Sequence, residues 1–251
     1  MNADDAVEFV KRAELLSFLR TTSADADTLD RNLSASRSTI HRATQSLTDQ
    51  RLIEKVDGEF ELTSVGAVVA ARTEEYQSQL DAVDRLEPLL DAIDAETVDF
   101  PLEHLADATV ERPCPGQPHV VVGSLGDLVA DAESMRMFSG VVSPIYVDIA
   151  YEAVQNGTEI RAVFRRSVVD DLFCEHARKS REAARTGRFE VRIHDDCPFE
   201  LFLFDDRVGL SAHDDRGLPV AFVETSDPTV VEWAESCFAR YWDAAEYATL
   251  I

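Results

Sequence analysis

Residues 33–62, LSASRSTIHRATQSLTDQRLIEKVDGEFEL, concentrate side chains that donate hydrogen bonds to anions and bases. Arg37, Ser38, His41, Arg42 and Gln45 share the outward faces of one helical repeat. Ser36 and Thr39 stand at its start, with Lys55 and Gly58 downstream. Guanidinium, imidazole, amide and hydroxyl groups are the ones that bond phosphate oxygens and base edges. Ile40, Ala43 and Leu47 fall at helical spacing on the opposite side. Ser36 suits an N-cap, because its oxygen accepts an otherwise orphaned backbone N–H. The spacing therefore predicts a helix over 36–50 with a core-facing stripe and a face fit for double-stranded DNA.

A second set lies further on. Ser143 and Tyr146 fall at an expected strand-to-helix junction, and Arg161, Arg165 and Arg166 on and beyond the next strand. Ligands of α/β sheets sit outside the carboxyl ends of strands. Arginines there favour an anionic effector held by bidentate bonds; equally, they suit ion pairs with neighbours such as Asp170 or Asp171. Arg192, Phe199 and Glu200 are further candidates for the same small-molecule pocket.

Other groupings carry less. His194-Asp195-Asp196-Cys197 and Cys174-Glu175-His176 hold metal-ligand or redox residue types, and serve as well as loop polar groups and core thiols. Gly123-Ser124-Leu125-Gly126, expected after a strand and at the start of a helix, reads as a plain strand-to-helix turn, a geometry that can also hold an anion. The chain lacks both Gly-x-Gly-x-x-Gly and a Walker lysine, and no cofactor or metal is implied. Ser211, His213 and Asp214 cannot converge as a triad, since neighbours on one strand point to opposite faces.

The elements around these residues follow from pattern. Amphipathic helices are expected over 5–21, 24–32 and 36–50. Asp57-Gly58 between 52–56 and 59–62 signals a hairpin. Three helices and a hairpin make a winged helix-turn-helix. A helical run then extends from Thr63 to about Ala95, with a near-heptad seam of Val65, Val69, Arg72, Tyr76, Gln79, Val83, Leu86, Leu90 and Ile93, and a kink or restart at Pro88. That seam suits a homodimer or packing on the chain's own second domain. Residues 97–119, with four prolines including Pro118, read as an irregular linker. Beyond come a strand before Gly123, a helix at 124–135, a strand at 137–142, a helix at 144–156, a strand at 158–164 and helices over 167–187. Strands at 189–194, 199–204, 207–212 and 218–224 follow, with a turn at Asp214-Asp215-Arg216-Gly217 and a last helix over 228–248. The fold class is α+β / α/β: a winged helix-turn-helix domain (1–64), a connecting or dimerisation helix (65–96) and a C-terminal α/β sensor domain (97–251).

The formal net charge is −24 and lysine occurs only at 11, 55 and 179. An acidic, lysine-poor surface fits proteins of salt-loving cells, where charge maintains solubility; affinity for cations or basic partners is the other reading. Acidity opposes DNA binding, but residues 1–64 hold eight basic and twelve acidic residues, so most of the negative charge lies elsewhere. The four cysteines form no Cys-x-x-Cys pair and are expected to be reduced thiols. No run of about 18 apolar residues suits a membrane span, and Met1-Asn2-Ala3-Asp4-Asp5 lacks the features of a secretion signal. A cytoplasmic location and no membrane partner are expected.

Residues 13–66, through SRSTIHRATQSLTDQRLIEKVDGEFELTSVG, resemble the winged-helix domain of archaeal and bacterial transcription regulators. VVSPIYVDIAYEAVQNGTEIRAVF, CPFELFLFDDRVGLSAHDDRGLPVAFVETSDP and VEWAESCFARYW resemble the sensor domain of haloarchaeal and methanogen regulators of the methanogenesis-regulator type. That domain is similar in layout to half of a phospholipase-D-like domain. The resemblance implies a test: with the motif Asp of His-x-Lys-x-x-x-x-Asp on Asp205, its His falls on Pro198 and its Lys on Glu200. Proline has no nucleophile and a carboxylate repels phosphate. The resemblance thus implies a sensor without catalysis. Two other functions stand against a DNA-binding regulator: a phosphodiesterase-like hydrolase, and a winged helix used only for protein contact.

Overall fold

The structure, a computed structural model, describes residues 3–93, 99–117, 119–214 and 216–248. The end of the expected connecting helix at 94–96, Pro118 and Asp215 lie outside the described residues. The chain divides into two compact units, Met1–Asp81 and Ala82–Ile251.

The first unit contains α1 (Ala3–Lys11), α2 (Ala13–Thr21), α3 (Ala26–Asn32), α4 (Arg37–Asp49), β1 (Ile53–Val56) and β2 (Glu59–Leu62), followed by the start of α5 (Ser64–Ala92). The single helix expected over 5–21 is two helices broken at Arg12, and Phe9 and Leu16, on either side of the break, enter the same core. Asp25 and Ser36 cap α3 and α4 by accepting from the N–H groups of Thr28 and Thr39. Asp57 and Gly58 have φ of 50° and 96°, the left-handed pair that a tight hairpin with matching twist demands. Ala24 adds a bridge to Phe60, with N–H to carbonyl distances of 3.2 and 2.8 Å.

The junction between wing and α5 is tight. The Thr63 hydroxyl donates to the Arg51 carbonyl at 2.8 Å and accepts from the Gly66 N–H at 3.0 Å. A Cβ on Gly66 would stand 1.8 Å from the Leu52 carbonyl oxygen. Glycine is required here by the close approach of two backbones.

The second unit is an eight-stranded mixed sheet in the order β10-β6-β5-β4-β7-β8-β9-β3. The strands are β3 (Thr109–Glu111), β4 (Ser134–Ser139), β5 (Glu159–Phe164), β6 (Phe189–Ile193), β7 (Glu200–Leu203), β8 (Val208–His213), β9 (Pro219–Thr225) and β10 (Glu246–Tyr247). β4, β5 and β6 run parallel; β7 pairs antiparallel with β4. The helices are α6 (Val120–Asp131), α7 (Pro144–Asn156), α8 (Arg166–Cys174), α9 (Ala177–Arg185) and α10 (Pro228–Ala244). Alternate strand residues serve two cores. Met135, Met137, Ile160, Ala162 and Phe202 meet α6 to α9 on one face. Phe138, Val163, Leu201 and Leu203 meet α10, Leu86 and Leu89 of α5, and Ile93 just beyond it on the other. Burial on both faces explains the near-continuous apolar runs of these strands.

Several expectations are corrected. Val120, Val121 and Val122 are not a strand before Gly123 but the first turn of α6. A short β-branched run is ambiguous in sequence, and Val121, Leu125, Leu128 and Val129 bury one helical face. The strand-to-helix turn expected at Gly123–Gly126 therefore lies inside a helix. The next strand spans 134–139 rather than 137–142. The linker over 97–119 contributes β3, paired with β9. The last helix ends at Ala244, after which Glu246 and Tyr247 pair with β6 as an edge strand.

The seam expected on α5 is divided. Val69, Leu86 and Ile93 are buried, whereas Val65, Val68, Tyr76, Leu80 and Val83 are exposed along the helix. Pro88 is accommodated inside α5.

Gly66→Ala is expected to destabilise the first unit by about 1–3 kcal/mol through overpacking. Urea denaturation of the full chain, followed by a probe in residues 1–81, should show its midpoint falling while the second unit's transition stays in place.

Candidate functional site

α4 is amphipathic as its sequence implies. Ile40, Ala43, Thr44 and Leu47 are buried, and Arg37, Ser38, His41, Arg42 and Gln45 are exposed. Thr39 is half-buried, and its N–H donates to the Ser36 hydroxyl at 3.3 Å. Lys55 and Gly58 are exposed on the wing, Lys55 with its ammonium 5.3 Å from the Phe60 ring centre. Two donors are partly engaged: Arg37 donates to Asp27 at 2.9 Å, and the Gln45 amide to Asp49 at 3.0 Å. The Arg42 Nε donates to the Ser38 carbonyl at 3.3 Å. Exposed pairs of this kind contribute little energy and are readily exchanged for a stronger anion.

The turn that sets the start of α4 is held by a carboxylate sequence reading did not single out. Glu14 of α2 accepts from the Ser34 N–H at 2.9 Å and from its hydroxyl at 2.7 Å. The Ser34 backbone N–H first, and then its hydroxyl, hold the Glu14 carboxyl below the usual range.

In the second unit the expected effector residues separate into two groups. The arginines have partners of their own. Arg165 donates to the Cys197 carbonyl at 2.8 Å and packs over Gly140. Arg166 donates from its backbone N–H to Asp195 at 3.3 Å and pairs with Glu246 at 3.1 Å. Arg192 lies between the rings of Trp242 and Tyr247 and donates to the Trp242 carbonyl at 2.9 Å, which secures the edge strand β10. Arg161 is exposed on β5.

Ser143, Tyr146 and Glu200 do share a location. Ser143 caps α7, its hydroxyl accepting from the Tyr146 N–H at 3.4 Å. Tyr146 lines a cavity of about 70 Å³ between β4, β5 and β7 and helices α6, α7 and α9, and Glu200 lines it too. Glu200 is buried at the start of β7. One of its oxygens accepts from Ser139 at the end of β4; the other lies 2.9 Å from His213 Nδ1. The His213 ring meets the Tyr146 ring edge-on, with centres 6.4 Å apart. Burial first, and the Glu200 charge second, push the Tyr146 phenol above its ordinary range. Ser139 and His213 were not foreseen as a pair with Glu200. Only the strand register brings them together, through the pairing of β4 with β7 and of β7 with β8. The carboxylate stands between serine and imidazole, so His213 is not placed as a base for the Ser139 hydroxyl.

The remaining groupings fall apart in space. Ser211 donates to the Ala221 carbonyl at 2.9 Å. Asp205, the expected phosphodiesterase-motif aspartate, accepts from the Glu133 and Ser134 N–H groups at 2.9 and 3.1 Å and so holds the start of β4. Among the described residues no three His, Cys, Asp or Glu side chains converge as a metal site. Burial pushes the Cys197 thiol up to about 12 and raises Cys237 as well, which disfavours the reactive thiolate. Among the described residues no helix is long and apolar enough to cross a membrane.

Residues 118–244, just over half of the chain, match the family described as methanogenesis regulatory protein FilR1, middle domain. The chain belongs to that family. Residues 1–85 also match the HVO_A0261 N-terminal domain. No curated protein matches the chain. Among solved structures, TrmBL2, an archaeal chromatin protein, is similar over 98% of this chain and 100% of its own, at 15% identity and a TM-score of 0.46. The phospholipase D family member Nuc from Salmonella typhimurium is similar over 57% of this chain and 99% of its own, at 17% identity and a TM-score of 0.42.

The Glu14–Ser34 contact has a defined pH signature. A depressed folded-state pKa contributes stability that is complete above the ordinary carboxylate range and is lost as pH falls through the depressed value. Because Glu14 is exposed, the contribution is about 1 kcal/mol or less. Glu14→Gln is expected to melt below wild type at pH 7, with the gap closing as pH falls through and below the ordinary carboxylate range; a gap that stays constant over that descent would refute the assignment.

Proposed function

We propose that this chain is a DNA-binding transcription regulator, with residues 1–64 as the DNA-binding part, 65–96 as the connecting and dimerisation helix, and 97–251 as an α/β sensor of a small-molecule effector. The observation that carries the reading is α4: a buried apolar stripe presents Arg37, Ser38, His41, Arg42 and Gln45 together on the surface, beside a hairpin wing. In the usual docking of such a module the helix enters the major groove and the wing touches the backbone alongside. Membership of a regulatory-protein family supports the same reading, as does the DNA-binding mode named for TrmBL2 in its own description. Lys55 and Gly58 then face the backbone, and Ser36 and Thr39 set the first turn of α4 against it.

A homodimer fits the helix between the two parts. Val65, Val68, Tyr76, Leu80 and Val83 leave an apolar stripe exposed on α5, and a second copy of the same helix is the partner that matches it. Two recognition helices would then read half-sites about one helical turn apart. Effector binding would act by changing their spacing or mobility, because α5 is one continuous helix containing the boundary between the units.

The alternative is a winged helix that contacts protein rather than DNA. The ion pair of Arg37 with Asp27 and the acidity of the chain favour it.

Fluorescence anisotropy with DNA from the chain's own promoter, across a KCl series reaching molar salt, separates the two. Wild type is expected to bind specifically. Arg37→Ala/Arg42→Ala should bind at least about tenfold more weakly, with the salt slope reduced by about 0.9 for each phosphate that is no longer neutralised. Equal specific binding by both would refute the roles of Arg37 and Arg42, and none by either at any salt that keeps the fold would refute the DNA reading. Tyr76→Glu/Leu80→Glu should halve the mass seen by light scattering; an unchanged mass would place the dimer interface elsewhere.

A further inference from the structure

We propose that the cavity beside Glu200 is the effector site and that it takes a small, largely apolar molecule carrying one hydrogen-bond-donating hydroxyl, not an anion. The inference rests on the reading of the second unit as a sensor and names the ligand class. Three observations support it. First, the cavity is apolar along its length, walled by Met135, Met137, Val154, Phe164, Ala183 and Phe202. Three polar residues of its lining turn their heads to partners of their own. Lys179 bonds Asp148, the Tyr151 hydroxyl donates to Glu182 at 2.7 Å, and Ser180 donates to the Leu172 carbonyl at 2.8 Å.

Second, among the described residues Glu200 is the one carboxylate in the lining, and it stands at one end. The Glu200 and His213 side chains are only 6% and 7% exposed. A carboxylate offers about four acceptor positions; Ser139 takes one, and His213 Nδ1 stands 2.9 Å from the other oxygen. A hydroxyl at that end could donate to Glu200, whereas a carboxylate or phosphate would meet a buried carboxylate in a medium of low dielectric. None of Arg161, Arg165, Arg166 and Arg192 lines the cavity, so no guanidinium among them would hold an anion there. Third, the polar end lies at the carboxyl end of β4, under the first turn of α7, where sheets of this kind hold ligands. The volume is about 70 Å³. At roughly 10–15 Å³ for each water-sized group, that is room for about five non-hydrogen atoms.

The chain contains three methionines, and two of them, Met135 and Met137, line the cavity. Carbon-13 methyl-methionine NMR of the full chain, titrated with 1-butanol and separately with butyrate, therefore reports occupancy directly. 1-Butanol is expected to move two of the three methyl signals in a saturable way, at least tenfold more tightly than butyrate. Ala150→Leu, which fills the cavity from α7, should abolish the shifts while leaving the signals dispersed. Glu200→Gln, which keeps the shape and removes the charge, should reduce the preference over butyrate to less than threefold. Absence of saturable shifts in wild type would overturn the site. Equal or tighter binding of butyrate, or an undiminished preference in Glu200→Gln, would overturn the ligand class. DNA affinity is read separately: two shifted methionines with DNA binding unchanged by 1-butanol would count against the sensor reading and leave the site standing.

Discussion

A carboxylate removed from water must be bonded by its surroundings, and in the second unit that constraint falls on Glu200. Its strand is buried on both sides: Leu201 and Leu203 enter one core, Phe202 the other, and Glu200 shares the face of Phe202. An unpaired charge there would cost far more than the unit's margin of stability. The sheet order answers it. β4 and β8 flank β7 and bring Ser139 and His213 to the two carboxylate oxygens. The same geometry leaves an apolar hollow beside the carboxylate, the hollow proposed above as the effector site.

The first unit follows a different logic. On the proposed reading its function is carried on a surface, and its interior serves to hold α4 in place. Leu16, Leu29, Ile40 and Leu47 form the core under that helix. Glu14 bonds the turn before it, and the Thr63–Gly66 junction bonds the segment after it. None of these residues faces outward from α4, yet they set the direction in which Arg37 and Arg42 project. The exposed acids nearby, Asp27 and Asp49, occupy donors in the free chain and would yield them to a polyanion.

Much of this is legible in sequence, for local reasons. The recognition helix, the Asp57-Gly58 turn and the Asn156-Gly157 stop are written in capping, periodicity and left-handed φ, which act over a few residues. The first turn of α6 reads wrongly as a strand because three valines in a row satisfy helix and strand alike until their burial decides. The edge strands β3 and β10 carry no alternation long enough to read, being three and two residues long. The site is legible in part. Ser143, Tyr146 and Glu200 stand out in sequence, but Ser139 and His213 join them through register, which no single segment encodes. The arginines turn to a carbonyl, a carboxylate and a pair of aromatic rings far along the chain, partners that no local pattern displays.

On the proposed reading, α4 and the wing form the DNA-reading surface. Hydrogen exchange of the full chain with and without promoter DNA tests it most directly. Protection on binding is expected over residues 36–50 and 53–62, with the strands of the second unit unchanged. Saturating DNA that leaves those segments as exchangeable as before, or protects the second unit instead, would contradict it.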